Sequence, residues 1–139
     1  MKKTVAAVLV VVLLMSGLMV GCGGVVTGSG KPITDTFDYG DFTAVEAHNG
    51  FQVEIKKSSD FNVEITVDDN LQEYLEVDKS GNTLRISMQQ NRLYTSATLS
   101  AKITMPDISR LDLSGGSRAD VIGFNLSHDL SIELSGGSH

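Results

Sequence analysis

Three histidines, His48, His128 and His139, are the side chains in this sequence best suited to proton transfer or metal binding. None stands at ligand spacing from another, and the single cysteine, Cys22, is remote from all three. A zinc site needs several such ligands to converge, so no metal is expected. Ser135, His128 and Asp129 could be written as a nucleophilic triad, but no serine lies in a G-x-S-x-G elbow. Serines beside glycine pairs more simply form chain corners. Glu54, Glu64, Asp112 and Glu133 are outward acids that could supply a carboxylate pair for glycoside cleavage. In an acidic, strand-rich chain the simpler reading of them is a solvated face. "GSGK" (Gly28 to Lys31) matches part of a phosphate loop, yet Val25 and Pro32 stand where that loop requires glycine and a hydroxyl residue. Asp68, Asp69, Asn70 and Glu73 lack the alternation, the glycine and the distant glutamate of a calcium loop; a helix cap suits them better. No catalytic, cofactor-binding or metal residue is assigned, and the chain is not expected to be an enzyme.

The one position with a definite chemical expectation is Cys22. "MKKTVAAVLVVVLLMSGLMVGC" opens on Lys2 and Lys3, runs apolar from Val5 to Val20 and closes on the small residues Gly21 and Cys22. That order is the order of a secretory signal. Its length is only slightly below the roughly 20 residues that span a bilayer, so length alone does not separate a signal from a permanent helix. "LMVGC" resembles the lipobox of bacterial lipoprotein signals, with Met19 where leucine is usual and Leu18 one place further out. The resemblance implies cleavage between Gly21 and Cys22 and lipid on the new N-terminal Cys22. A plain signal would leave a lone thiol in an exported protein, which invites intermolecular pairing. Several acyl chains would give durable membrane attachment. Gly23 after Cys22, rather than an acid, fits outer-membrane delivery if the cell has two membranes.

Removing residues 1–21 takes away Lys2 and Lys3 and no acid, leaving 17 acids against nine bases, a net charge of −8. Nucleic acid and anionic lipid surfaces are thereby disfavoured as partners, since phosphates are neutralised by lysine and arginine. No cysteine pair remains for a disulfide. The next segment, 22–36, contains glycine at 23, 24, 28 and 30 and reads as a flexible tether. A folded domain is expected over 37–139.

Within that domain, apolar residues alternate with polar ones, the period of a half-buried strand. "FQVEI" turns Phe51, Val53 and Ile55 to one side. "FNVEITV" does the same with Phe61, Val63, Ile65 and Val67, and the polar turn "KKSSD" between them suggests a hairpin or neighbouring pair. "TLRISM" and "ATLSAKITM" add Leu84, Ile86 and Met88, then Leu99, Ala101, Ile103 and Met105. One stretch departs from this period. "DDNLQEYLEV" places Leu71, Tyr74 and Leu75 at helical spacing and predicts a short helical turn from Leu71 to Glu76, capped from Asp69 or Asn70.

The C-terminal part repeats itself. Leu113, Ser114, Gly115, Gly116 and Ser117 recur 21 residues later as Leu134, Ser135, Gly136, Gly137 and Ser138. The flanking Leu111 and Asp112 recur as Ile132 and Glu133. Such a period predicts stacked coils. At about 3.3 Å per residue, 21 residues make roughly 70 Å of strand, one circuit of a three-sided coil. The apolar pieces Ala119–Val121, Phe124–Leu126 and Leu130–Ile132 suggest three short strands per circuit. Leu113 would then lie over Leu134, with Gly-Gly forming each corner. The expected fold is all-β, a β-solenoid or parallel β-helix-like stack of about 21-residue coils. Two readable coils are fewer than such a stack needs, so earlier strands must supply others, and the domain is expected to lack C-terminal coils.

"FTAVEAHNGFQVEI", "VEITVDDNLQEYLEV", "GNTLRISM" and the "LDLSGGS…IELSGGS" pair together resemble the head GIN domain of auto-transporter adhesins, over Phe37 to His139. The resemblance implies a β-solenoid in the bacterial envelope, often behind a lipoprotein signal, and brings no functional residues. The expected function is therefore a membrane-anchored envelope module that binds an unknown protein or glycan. A polysaccharide-acting enzyme and an envelope sensor or scaffold are the alternatives. Arg118 and the outward serines and acids of the repeat do not cluster, which favours the binding module.

Overall fold

The computed structural model describes residues 23–139; the expected signal 1–21 and Cys22 lie outside them. Among the described residues the chain forms twelve strands. They are β1 (Val25–Thr27), β2 (Pro32–Phe37), β3 (Ala44–Ala47), β4 (Gln52–Lys57), β5 (Asn62–Asp68), β6 (Leu75–Ser80), β7 (Thr83–Met88), β8 (Leu93–Thr95), β9 (Leu99–Met105), β10 (Arg110–Leu113), β11 (Arg118–Ile122) and β12 (Ser131–Leu134). β1 pairs with β8 alone. The others form two open five-stranded sheets, ordered β12-β10-β3-β7-β6 and β11-β4-β9-β5-β2. The domain is all-β.

The alternation in each strand decides which side is dry. Val45, Ala47, Leu84, Ile86, Leu111 and Leu113 turn inward from the first sheet. Val53, Ile55, Val63, Ile65, Ala101 and Ile103 turn inward from the second. Phe42, Phe51 and Ile108 close the space at the edges of this single core. A one-residue slip in any strand would carry its whole apolar set into water.

Parallel pairing places the strands in layers. β3 lies between β7 and β10, and β4 lies between β9 and β11. The chain crosses from first sheet to second after β3, β7 and β10. The layer 44–57 therefore sits between the layers 83–105 and 110–122, so layer order is not sequence order. β10 and β12 do follow the 21-residue offset, with Leu111 opposite Ile132, Asp112 opposite Glu133 and Leu113 opposite Leu134. At the other end the ladder turns antiparallel: β6 on β7, β5 on β9 and β2 on β5.

Four expectations need correction. The 21-residue unit carries two strands, β11 and β12, rather than three; residues 123–130 form no strand, though Phe124, Leu126 and Leu130 still pack on the core. "FQVEI" and "FNVEITV" are not a hairpin, because β9 is inserted between β4 and β5. The supposed tether is built into the domain from Val25 onward. β2 pairs with β5 from Pro32↔Asp68 to Phe37↔Val63, and its proline stands first in an edge strand, where no ladder donor is required. Finally, the helical turn is a 3₁₀ helix over Asp69–Tyr74, without a side-chain cap, and Leu75 already begins β6.

The residues expected to cap that helix hold the N-terminal segment instead. Asn70 accepts from the Ser29 amide at 2.9 Å and donates to the Thr27 carbonyl at 2.8 Å. Ser29 Oγ donates to Asp69, and this bond is the main reason the Asp69 carboxyl titrates below its ordinary value. The fully buried Asp68 accepts from the Thr98 amide at 2.9 Å. Asn70→Ala removes two hydrogen bonds and is expected to cost about 1–2 kcal/mol. Amide exchange across Val25–Ser29 should speed up while β9 stays protected.

Candidate binding face

Three stacked corners, two of which connect the sheets, follow β3, β10 and β12. In the lowest, Asn49 and Gly50 have φ of 64° and 82°; in the next, Gly115 and Gly116 have 65° and 78°; in the last, Gly136 and Gly137 have 61° and 79°. Each corner bonds to the one below. The Ser114 amide donates to Ala47 O at 3.0 Å, and the Ser135 amide to Leu113 O at 3.0 Å. Ser117 Oγ is buried, accepts from the Gly50 amide at 3.2 Å and donates to Ser114 O at 2.9 Å. The first glycine of each repeated corner has a second role. A Cβ at Gly115 would stand 2.9 Å from Asn49 N, and one at Gly136 3.0 Å from Gly115 N. Asn49, in the bottom corner, keeps its side chain by reaching sideways to accept from the Met88 amide at 3.0 Å.

Outward residues of the first sheet form a charged row across five strands. The registers run Asp78↔Arg85↔Glu46↔Asp112↔Glu133. Arg85 donates to Glu46 at 2.9 Å and lies 3.9 Å from Asp78. Arg110 reaches Asp112 at 3.2 Å and Glu133 at 3.4 Å. Glu46 holds the Arg85 guanidinium, by hydrogen bond first and by charge second, above its ordinary basicity. Beside this row lies a groove of about 520 Å³ whose lining includes His48, Asp78, Arg85, Ser87, Gln90 and Ser114. His48 Nδ1 and Ser114 Oγ hydrogen-bond at its rim. A shallower groove of about 400 Å³ on the second sheet runs over Gln52, Glu54, Lys102, Arg118 and Asp120.

The structure does not assemble the triad written from the sequence. His128 Nε2 contacts both carboxylate oxygens of Asp107, at 3.0 and 2.9 Å, and its Nδ1 contacts the Asp129 carbonyl at 3.0 Å. Ser135 is not among its partners. His139 stays exposed, its Nδ1 3.5 Å from Gly137 O. Asp112 and Glu133 are neighbours, but they share Arg110. Glu54 binds Lys56 at 2.8 Å, and that bond chiefly lowers its carboxyl below the ordinary range, the opposite of what a general acid requires. Glu64 accepts from Asn62 at 3.1 Å. Among the described residues no three His, Cys, Asp or Glu side chains are placed to hold a metal ion.

Sequence reasoning passed over Glu46, Asp78, Arg85 and Asp107. Asp78 and Arg85 pair locally across the β6–β7 hairpin, but Glu46 joins them only through the interleaved layers, which leave no local mark. Asp107 was within reach, because it precedes His128 by the same 21 residues that separate the corners. The His128 imidazole titrates above its ordinary 6.5, first through the Asp129 carbonyl and then through Asp107. A raised folded-state value means this contact adds stability below about pH 6.5 and loses it as pH rises through the folded value. His128→Gln should therefore narrow the difference in melting temperature between pH 5.5 and pH 8.5, with wild type relatively more stable at the acid end.

Layered parallel strands, glycine corners and a charged outer face define an all-β class of domain. Residues 41–139 match the family model described as "Putative auto-transporter adhesin, head GIN domain", and the chain belongs to that family. No curated protein matches it. A "putative lipid binding protein" from Parabacteroides distasonis ATCC 8503 shares the fold, with TM-score 0.73 and 18% identity, over 79% of this chain and 48% of that one. A "putative adhesin" from Bacteroides fragilis NCTC 9343 gives TM-score 0.73 and 20% identity, over 81% and 53%. A "putative adhesin" from Parabacteroides merdae ATCC 43184 gives 0.61 and 21%, over 81% and 56%. The chain spans about half the length of these solved relatives.

Proposed function

We propose that this chain is an exported, lipid-anchored envelope protein whose β head binds a protein or glycan ligand. Residues 1–21 act as the signal, Cys22 carries the lipid, and delivery is to the outer membrane where the cell has two. The layers act as turns of a β-solenoid with a 21-residue rise between its last two corners. The observation that carries the binding role is the outward row Asp78–Arg85–Glu46–Asp112–Glu133 beside a polar groove. A stacked sheet presents such side chains at the strand spacing of about 4.8 Å, a rigid array for multipoint recognition. The family name and the adhesin name of two solved relatives support the same reading. The lipid-binding name of another relative is compatible with a membrane-associated role.

The test is a glycan and matrix-protein binding panel run with the mature chain and with Arg85→Glu. The variant loses a partly exposed ion pair and sets like charges opposite Glu46 and Asp78, costs of about 1 kcal/mol each, so its melting temperature is measured beside its binding to confirm that it is folded. Its binding to any panel hit should fall at least tenfold. Unchanged binding by Arg85→Glu would reject this face as the site.

A further inference from the structure

Only Gly23 and Gly24 separate Cys22 from the first residue of β1. Three Cα steps of 3.8 Å reach at most about 11 Å. A lipid on Cys22 therefore cannot hold the domain at arm's length; β1 must lie close to the bilayer surface. β1 is also fixed to the body. It pairs with β8 through Val25↔Leu93, Val26↔Tyr94 and Thr27↔Thr95, and the Gly28 amide donates to Thr95 O at 2.9 Å.

Two exposed apolar side chains stand on the surface brought to the membrane in this way, among polar neighbours that include Glu76, Gln89, Gln90, Asn91 and Arg92. Val25 and Leu93 are 64% and 59% exposed, the most exposed large apolar side chains among the described residues, and they face one another across the β1–β8 pair. Their neighbours Val26 and Tyr94 pack on the core instead. Beside them Tyr94 meets Tyr74 at 6.1 Å between ring centres, and the Arg92 guanidinium lies 4.7 Å from the Tyr74 ring centre. The two aliphatic side chains, with the basic Arg92 next to them in sequence, suit the boundary between headgroups and acyl chains.

We propose that the β1–β8 edge is a membrane seat, in which Val25 and Leu93 enter that boundary and fix the orientation of the head. The proposal rests on the lipidation of Cys22. The occupant is the lipid bilayer itself. The other exposed apolar residues, Val121, Ile122, Ile132 and Leu134, belong to β11 and β12 at the opposite edges of the two sheets and serve as the comparison.

The chain contains no tryptophan, so Leu93→Trp and Ile132→Trp each give a single reporter. Each full-length protein would be purified from membranes, its Cys22 acylation verified by mass, and reconstituted into phosphatidylcholine vesicles with brominated acyl chains. Leu93→Trp should be quenched at least twofold more than Ile132→Trp. Adding Val25→Asp to Leu93→Trp should reduce that quenching while the protein still sediments with the vesicles. Equal quenching at the two positions in acylated protein would overturn the seat and leave the anchor standing. A free Cys22 thiol would overturn both.

Discussion

Leu113→Ala is expected to cost the domain about 2–5 kcal/mol, the range for emptying a packed leucine site, whereas Leu134→Ala should cost less than about 1 kcal/mol. The two leucines occupy the same place in the same pentapeptide and lie side by side in register. What differs is the layer. Leu113 has β3 on one side and β12 on the other and is 1% exposed; Leu134 has β10 on one side only and is 52% exposed. Removing the first leaves a cavity that neighbouring layers cannot close. Removing the second trims a side chain already half in water. Chemical unfolding of both variants against wild type gives the comparison. Equal losses would mean that the layer, and hence the stacking, does not decide burial.

The corner glycines provide a second matched pair. Gly115→Ala is expected to cost about 2–4 kcal/mol and Gly116→Ala about 1–2 kcal/mol. Both residues have positive φ, so both alanines carry the left-handed cost. Only at Gly115 does the new Cβ also press on backbone, at 2.9 Å from Asn49 N, while at Gly116 it meets open space. Backbone cannot move aside as a side-chain tip can. Asparagine tolerates this φ, so Gly116→Asn should recover most of the Gly116→Ala loss. Gly115→Asn should recover little, because its Cβ still meets the layer below. Denaturation midpoints of the four variants separate the conformational cost from the stacking cost.

These pairs show why part of the fold was legible in the sequence. Period-two alternation identified β4, β5, β7 and the body of β9, since burial on one side writes itself into neighbouring residues. The identical corners pointed to the β10–β12 register because identical layers need identical bends. Parallel pairing between distant segments leaves no such mark. Ala47 meets Ile86 and Leu113, but nothing in "AVEA" names either partner, so the interleaving was out of reach. β2 was hidden by its surroundings: a proline and nearby glycines look like linker composition, and its hold on β5 comes mainly from backbone pairing. The stretch from Asp68 to Asn70 was recognised as polar and local, but the partners of Asp69 and Asn70 lie some 40 residues earlier and that of Asp68 lies 30 residues later. The charged row suffered the same limit. Only Asp112 and Glu133 were visible as outward acids; Glu46, Asp78 and Arg85 went unread, and the sheet order joined all five.

If Cys22 carries the proposed lipid, folding the supposed tether into the domain also changes how the head is held. A long flexible linker would leave its faces free to turn. Two glycines do not, and the charged row would then keep a constant aspect to whatever approaches the envelope.

The most direct measurement is the intact mass of the mature protein taken from a membrane fraction. The account predicts a chain that begins at Cys22, without residues 1–21, and carries a diacylglyceryl thioether with or without a further acyl group. A chain that starts elsewhere, or a Cys22 with a free thiol, would contradict it.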